Sequence, residues 1–308
     1  MYLPYLRGRQ NELLALKELV NNDLIGDKII PIIEPIKLSS TLISVIKLFN
    51  SQKRKLIVIQ NPQVGNFEEE LNISDKRHLY FDEVNNDNIL KGVIATDDFK
   101  SNIEKLKANK IENENIVVIL NNYEYIDKYK EEFFKGNIPF YTLIPDNRAF
   151  RRRIYANKII LEDYFKKRER NTDYDEEPEF FSADHIEYDM DNFQGFSDYS
   201  IIGEEYKESG FAPYAVAIHI VFFNKDKELY VKHFISDSND SIKDPAKKFS
   251  EALKKLIRWK DNLGINTYAL EVFENYFEKQ QYPGLGVVKK LSLMHHIQLI
   301  NDYLENED

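Results

Sequence analysis

Ile29-Ile30-Pro31-Ile32-Ile33-Glu34-Pro35 opens a series of short apolar runs that each end in a polar or acidic residue. Residues 56–59 (Leu-Ile-Val-Ile) run into Gln60 and Asn61, residues 93–95 into Thr96 and Asp97, and residues 116–120 into Asn121 and Asn122. Residues 140–144 reach Pro145 and Asp146, and residues 159–161 reach Glu162 and Asp163. Strands covered on both faces read as continuous apolar runs, and stretches with helical spacing lie between most of these six. The pattern predicts buried parallel strands alternating with helices. The expected fold is an α/β, TIM-like (β/α)8 barrel, with an open doubly wound α/β sheet as the alternative. In a barrel the strand ends gather at one rim, where such folds place their sites.

Working outward, residues 10–20 carry an amphipathic helical pattern ahead of the first run, and residues 42–49 follow it with Ser39, Ser40 and Thr41 as N-cap candidates. Residues 66–88 are polar and irregular; residues 99–107, 123–134 and 148–156 read as further helices. From Tyr164 the rhythm stops. Residues 164–198 form a loop insertion, long enough to be a lid beside the site, with Phe180 and Phe181 to anchor it. Residues 199–202 and 215–223 supply strands seven and eight. The period-two alternation of Leu229, Val231, His233 and Ile235 makes residues 222–235 an extra β-hairpin. Residues 245–308 hold three helices, over 245–259, 268–277 and 288–304. No internal repeat or linker interrupts the chain, so residues 1–308 are expected to form one barrel-like domain.

The 308 residues are 43% hydrophobic, enough for a large core. A net charge of −10 repels polyanions, so nucleic acid would require a local basic patch. With no cysteine, disulfides, thiolate metal sites and cysteine nucleophiles are excluded. No apolar run approaches the length that spans a bilayer, and the start lacks the apolar core of a signal peptide, so a cytoplasmic protein without membrane attachment is expected.

Glu34, Asn61, Asp146, Glu162 and Asp163 fall at strand C-termini. Convergent carboxylates with an amide suit an acid/base pair or a hard divalent cation such as Mg2+ or Mn2+, with Glu34 and Asp163 as the metal ligands and Asp146 as a further catalytic candidate. Each also has a plainer role as a helix cap or strand exit. A basic run from Arg148 through Arg151, Arg152, Arg153, Lys158, Lys166, Lys167 and Arg168 to Arg170 precedes an acidic run from Asp173 to Asp191. The basic cluster can clamp phosphates with Tyr164, Phe165 and Tyr174 to stack bases, or simply pair with the acidic run. Arg151 to Arg153 are consecutive and cannot share one helix face. Pro283-Gly-Leu-Gly286 ahead of Lys289 and Lys290 suits phosphate capture at a helix start, or an ordinary turn; it is not a P-loop. His219 and His233 are placed to meet across neighbouring antiparallel strands, as a catalytic base, a ligand or a packed pair. His295 and His296 diverge by about 100° on a helix and cannot chelate one metal. The zincin, α/β-hydrolase and dinucleotide motifs are absent.

Motifs along nearly the whole chain resemble one family. They are Met1-Tyr-Leu-Pro-Tyr-Leu-Arg-Gly-Arg-Gln10, Ile30-Pro-Ile-Ile-Glu-Pro-Ile36, and Asn61-Pro62 with Gly65. Then come Arg170-Asn-Thr-Asp-Tyr174, Phe180-Phe-Ser182, Gly195-Phe-Ser-Asp-Tyr-Ser200 and Ala215-Val-Ala-Ile-His219. His233-Phe234, Pro283-Gly-Leu-Gly286 and Lys289-Lys-Leu-Ser-Leu-Met-His-His-Ile297 complete the set. The chain resembles a bacterial family of the sce type, related to the "beta protein" family of phages and of mobile and defence islands. The resemblance implies an anti-phage defence or mobile-element protein, often encoded beside a nuclease-like partner, and no settled activity.

Two functions are therefore expected. One is a barrel-rim site for a phosphate-bearing ligand, a nucleotide or nucleic acid, with Glu34, Asp146, Asp163, His219 and His233 as catalytic candidates for a metal-dependent phosphodiesterase. Asn61, Arg170, Asn171, Asp173, Lys289 and Lys290 would contact that ligand. The other is a non-catalytic interaction or sensor protein working with the nuclease-like partner.

Overall fold

In a computed structural model, which describes residues 1–134, 136–208, 213–260 and 265–306, the apolar runs pair edge to edge as parallel strands. In chain order the strands are β1 (Tyr5–Leu6), β2 (Ile32–Ile33), β3 (Leu56–Ile59), β4 (Ile89–Ile94), β5 (Ile116–Ile119) and β6 (Tyr141–Ile144). They continue with β7 (Lys158–Glu162), β8 (Glu179–Ser182), β9 (Gly195–Asp198), β10 (Ala217–Phe223) and β11 (Leu229–Ile235). Contacts divide the chain into two compact units. One comprises Met1–Leu13, Asp27–Asp163 and Glu187–Tyr199; the other comprises Leu14–Gly26, Tyr164–Ile186 and Ser200–Asp308.

The first unit is the barrel. Its eight strands run in the order β1-β2-β3-β4-β5-β6-β7-β9, every pairing parallel. Residues just ahead of β1 close the ring, because Tyr2 bridges both Ile29 and Phe196 in parallel. Leu3 N–H donates to the Phe196 carbonyl at 2.9 Å, and Phe196 N–H donates to that of Met1 at 3.0 Å. Side chains lock the seam. The Tyr2 hydroxyl donates to Asp198 at 2.8 Å, its ring stacks on Phe196 at 5.1 Å, and the Ser197 hydroxyl donates to the Leu3 carbonyl at 2.6 Å. Alternate residues of successive strands, among them Tyr5, Ile32, Ile57, Leu90, Val117, Leu143 and Ile159, fill one buried apolar cluster, as a closed parallel barrel requires.

Helices follow the barrel strands. Ser39 caps Ser40–Ser51 by accepting from Leu42 N–H, and Asn122 caps the turn at Tyr123–Tyr125 through Glu124 N–H. The polar stretch after β3 holds two short helices, Phe67–Ile73 and Arg77–Val84, where no regular structure is predicted. Gly65 leads into them at φ +74°, and a Cβ there would lie 2.2 Å from the Ile36 carbonyl oxygen.

The second unit holds the antiparallel sheet β10-β11-β8 and the helices Pro245–Lys260, Tyr268–Glu278 and Leu285–Asn306. Side chains alternate across it. Phe222 and Phe234 meet Trp259 of the first of these helices on one face. On the other face Phe223 meets Tyr303 of the last.

The barrel, the hairpin and the three C-terminal helices match the expected architecture, whereas the strand count is reached differently. Residues 199–202 are not strand seven; Ser200 has φ +50° and Ser200–Ile202 is a 3-10 turn. Residues 215–223 are not barrel strand eight, because Ala217–Phe223 pairs antiparallel with β11. The missing barrel strands are β1 and β9. Residues 164–198 are correspondingly more than a loop, since β8, the helix Asp184–Glu187 and β9 lie within them.

Gly195 packs its backbone on the seam, where a Cβ would come within 2.4 Å of the Met1 carbonyl oxygen. Gly195→Ala is expected to destabilise the barrel by about 1–3 kcal/mol, read as a lower urea midpoint at unchanged slope.

Candidate functional site

At the C-terminal end of β1 the chain turns through Gly8, at φ +63°, and the Glu12 carboxylate steadies the turn by accepting from Arg7 N–H at 2.7 Å. This turn sets Arg7 beside Glu34, the residue following β2. The Glu34 side chain is fully buried. It accepts from the Arg7 guanidinium, from the Tyr5 hydroxyl at 2.8 Å and from Gln63 N–H at 2.7 Å. The guanidinium carbon lies 5.2 Å from the Tyr5 ring centre and 5.3 Å from that of Tyr199. Burial opposes the Arg7 charge, but Glu34 and the two phenols outweigh it and raise its pKa. Burial first, then Glu34 and Tyr199, push the Tyr5 hydroxyl well above its ordinary value. An Arg–Glu pair framed by two aromatic rings is therefore fixed at the barrel mouth.

Because β2, β3, β6 and β7 are parallel members of one sheet, Glu34, Asn61, Asp146 and Asp163 all lie at the same end of it. Their roles differ. Asn61 is buried and grips the backbone of Ile94, accepting from its N–H at 2.9 Å and donating to its carbonyl at 2.8 Å. Asp146 is exposed and lies 3.3 Å from the Arg151 Nε, and Glu162 accepts from Asp146 N–H. Asp163 is exposed. Among the described residues no group of three or more His, Asp or Glu side chains is arranged to hold a metal. The Glu34 carboxylate proposed as a metal ligand already serves Arg7, Tyr5 and Gln63.

Much of the basic run pairs locally. Arg151 bonds Asp191, Arg153 lies 3.7 Å from Asp127, and Arg168 donates to Glu179 at 2.8 Å. The helix ends at Arg151, short of the expected residue 156, so Arg153 lies beyond it and reaches a different partner. Arg170, Asn171 and Asp173 form a 3-10 turn, with Arg170 N–H donating to Asp173 and the Asn171 amide tied to the Ala215 carbonyl at 2.7 Å. Gly284 makes a turn at φ +93°, and Lys290 on the following helix pairs with Glu18. Lys289 is exposed and its charge reaches His219.

His219 and His233 are register partners, both in strands as expected, with their Nδ1 atoms 2.8 Å apart. Phe165 and Tyr174 pack against both rings. The Nε2 of buried His233 has no hydrogen-bond partner; its nearest acid oxygen is that of Glu179, at 3.9 Å. Burial pushes His233 down to about 4 against the pull of Glu179. Burial, then His233 and Lys289, hold His219 well below its ordinary value. His295 and His296 diverge as their spacing requires. His295 bonds Thr267 and the Val221 carbonyl, and His296 bonds Ser200. Burial lowers them to about 4 and about 3, His295 and His185 adding to the effect on His296.

Sequence reasoning missed Arg7. The signal was there, since Arg7-Gly8 follows Tyr5-Leu6, but that pair is too short to read as a strand. No family model, curated protein or solved structure matches the chain. No helix among the described residues is long and apolar enough to cross a membrane.

The neutral histidines set a pH window. Above about 6.5 neither state binds the protons; below it the unfolded chain does, while His233 and His295 stay neutral until about pH 4. Stability is thus complete above pH 6.5 and falls as pH drops toward 4, by about 3 kcal/mol for a fully buried group such as His295. Urea unfolding at stepped pH is expected to show this slope, flattened in His295→Gln.

Proposed function

We propose that the barrel mouth binds a phosphate-bearing ligand, a nucleotide or a nucleic-acid end, with Arg7 as its anchor. The observation that carries this reading is the Arg7–Glu34 pair framed by Tyr5 and Tyr199 at the C-terminal end of the strands. Buried ion pairs add little stability over apolar side chains of similar size, so a mouth built on one is better explained by ligand chemistry than by packing. A planar guanidinium matches phosphate oxygens two at a time, and the flanking phenols hold its fork in place. Glu34 acts as an internal stand-in that keeps the guanidinium oriented while the mouth is empty.

Binding has more support than metal-dependent hydrolysis, because Glu34, Asp146 and Glu162 are engaged by Arg7, Arg151 and a backbone N–H. The motif resemblance supports placing this binding in anti-phage defence or mobile-element biology, beside a nuclease-like partner that the bound state would regulate, and the lack of a membrane-spanning apolar run supports a cytoplasmic setting.

Calorimetric titration with pyrophosphate and ATP tests the anchor. Arg7→Lys keeps the charge but loses the fork and is expected to weaken binding about tenfold or more. Glu34→Gln removes the competing carboxylate and is expected to tighten it. Wild-type protein that binds neither anion, or equal affinities in wild type and Arg7→Lys, would overturn the reading.

A further inference from the structure

The second unit carries a cavity of about 350 Å3 beside the end of β11 and the helix Pro245–Lys260. Its lining contains three cations, Lys232, Lys255 and Arg258, the carboxylate of Glu176, the rings of Phe234 and Trp259, and His233, with a second carboxylate, Asp237, 2.8 Å from Lys255. In a chain of net charge −10 this is a local reversal of sign, the condition that composition sets for meeting a polyanion or its fragments.

The arrangement follows from local structure. Lys255, Arg258 and Trp259 are spaced i, i+3, i+4 on one helix and so share a face. Lys232 and Phe234 alternate onto one face of β11, where Phe234 packs on Trp259 at 5.2 Å and 61°. Phe222 braces the indole at 5.0 Å and 80°. Lys255 donates to Glu176 at 2.9 Å and Asp237 at 2.8 Å, and these carboxylates keep it charged against its partial burial. Lys232 donates to the Glu176 carbonyl. The cations are therefore held at the wall by β11, the helix and residue 176.

We propose that this cavity binds a mononucleotide. Its phosphate meets Lys232, Lys255 and Arg258, its base lies against Trp259, and Glu176 accepts from a ribose hydroxyl. The volume falls in the range of small-ligand sites. Charge alone would suit any anion; the braced indole adds the flat apolar wall that a base requires. The site is independent of the barrel mouth and of Arg7.

Trp259 is the chain's only tryptophan, so its emission reports on this cavity alone. The full chain is titrated with AMP, adenosine, inorganic phosphate and an oligothymidylate, at low and high salt. AMP is expected to quench Trp259 saturably, to bind about tenfold or more tighter than adenosine or phosphate, and to weaken as salt rises. The double variant Lys232→Gln, Arg258→Gln is expected to lose about tenfold or more in AMP affinity with an unchanged circular dichroism spectrum, whereas Arg7→Lys leaves it unaltered. No saturable response to AMP at about 5 mM, or equal binding of phosphate and AMP, would overturn the proposal. Tighter binding of the oligothymidylate than of AMP would move the same chemistry to a nucleic-acid strand and overturn the free mononucleotide.

Discussion

The parallel sheet depends on residues 1–6 being paired on both sides. Tyr2 bridges β2's approach and β9 at once, and β1 continues the pairing with β2. Without that double pairing the sheet would have two open edges, each a row of unpaired N–H and C=O groups. Closure also determines what the mouth can hold. Arg7 and Tyr5 come from the closing segment and Glu34 from the end of the neighbouring β2, whereas Tyr199 comes from the end of β9, so the second aromatic ring over the guanidinium is in place only in a completed ring.

The two units solve the burial of polar groups differently. In the barrel a buried carboxylate is met by a cation, a phenol and a backbone N–H. In the other unit buried imidazoles are met by hydroxyls, carbonyls or one another, and they stay neutral. Satisfied networks of either kind fix side-chain positions closely, since an unpaired polar group in low dielectric is costly. The unpartnered Nε2 of His233 stands out against this background.

The six runs from Ile29 to Asp163 were legible because strands buried on both faces must be apolar at every position, and all six contribute barrel strands. The hairpin was legible from period-two alternation, including the meeting of His219 with His233. Three features were hidden. Strand β1 has only two residues and follows Pro4, so it has no run to read. Strand β9 includes Ser197 and Asp198, whose burial is made possible by Leu3 and Tyr2, almost 200 positions away in sequence. The strand character of residues 215–223 was visible, but local sequence does not say which sheet a strand will join. For the site, a strand-end rule found Glu34 and Asn61; it could not reveal that Arg7 neutralises the first or that the second clamps a neighbouring strand. The cations of the basic cavity could have been grouped from their helical spacing, yet Lys232 and Phe234 join them only once the sheet is formed.

The seam also sets a timetable for synthesis. Tyr2 and its partner Asp198 are 196 residues apart. At a ribosome's pace of roughly 5–20 residues per second, about 10–40 s separate their appearance. During that interval β1 and the growing sheet present open edges to solvent. The nascent barrel therefore needs either a chaperone's shelter or folding of its middle strands that waits for the last one.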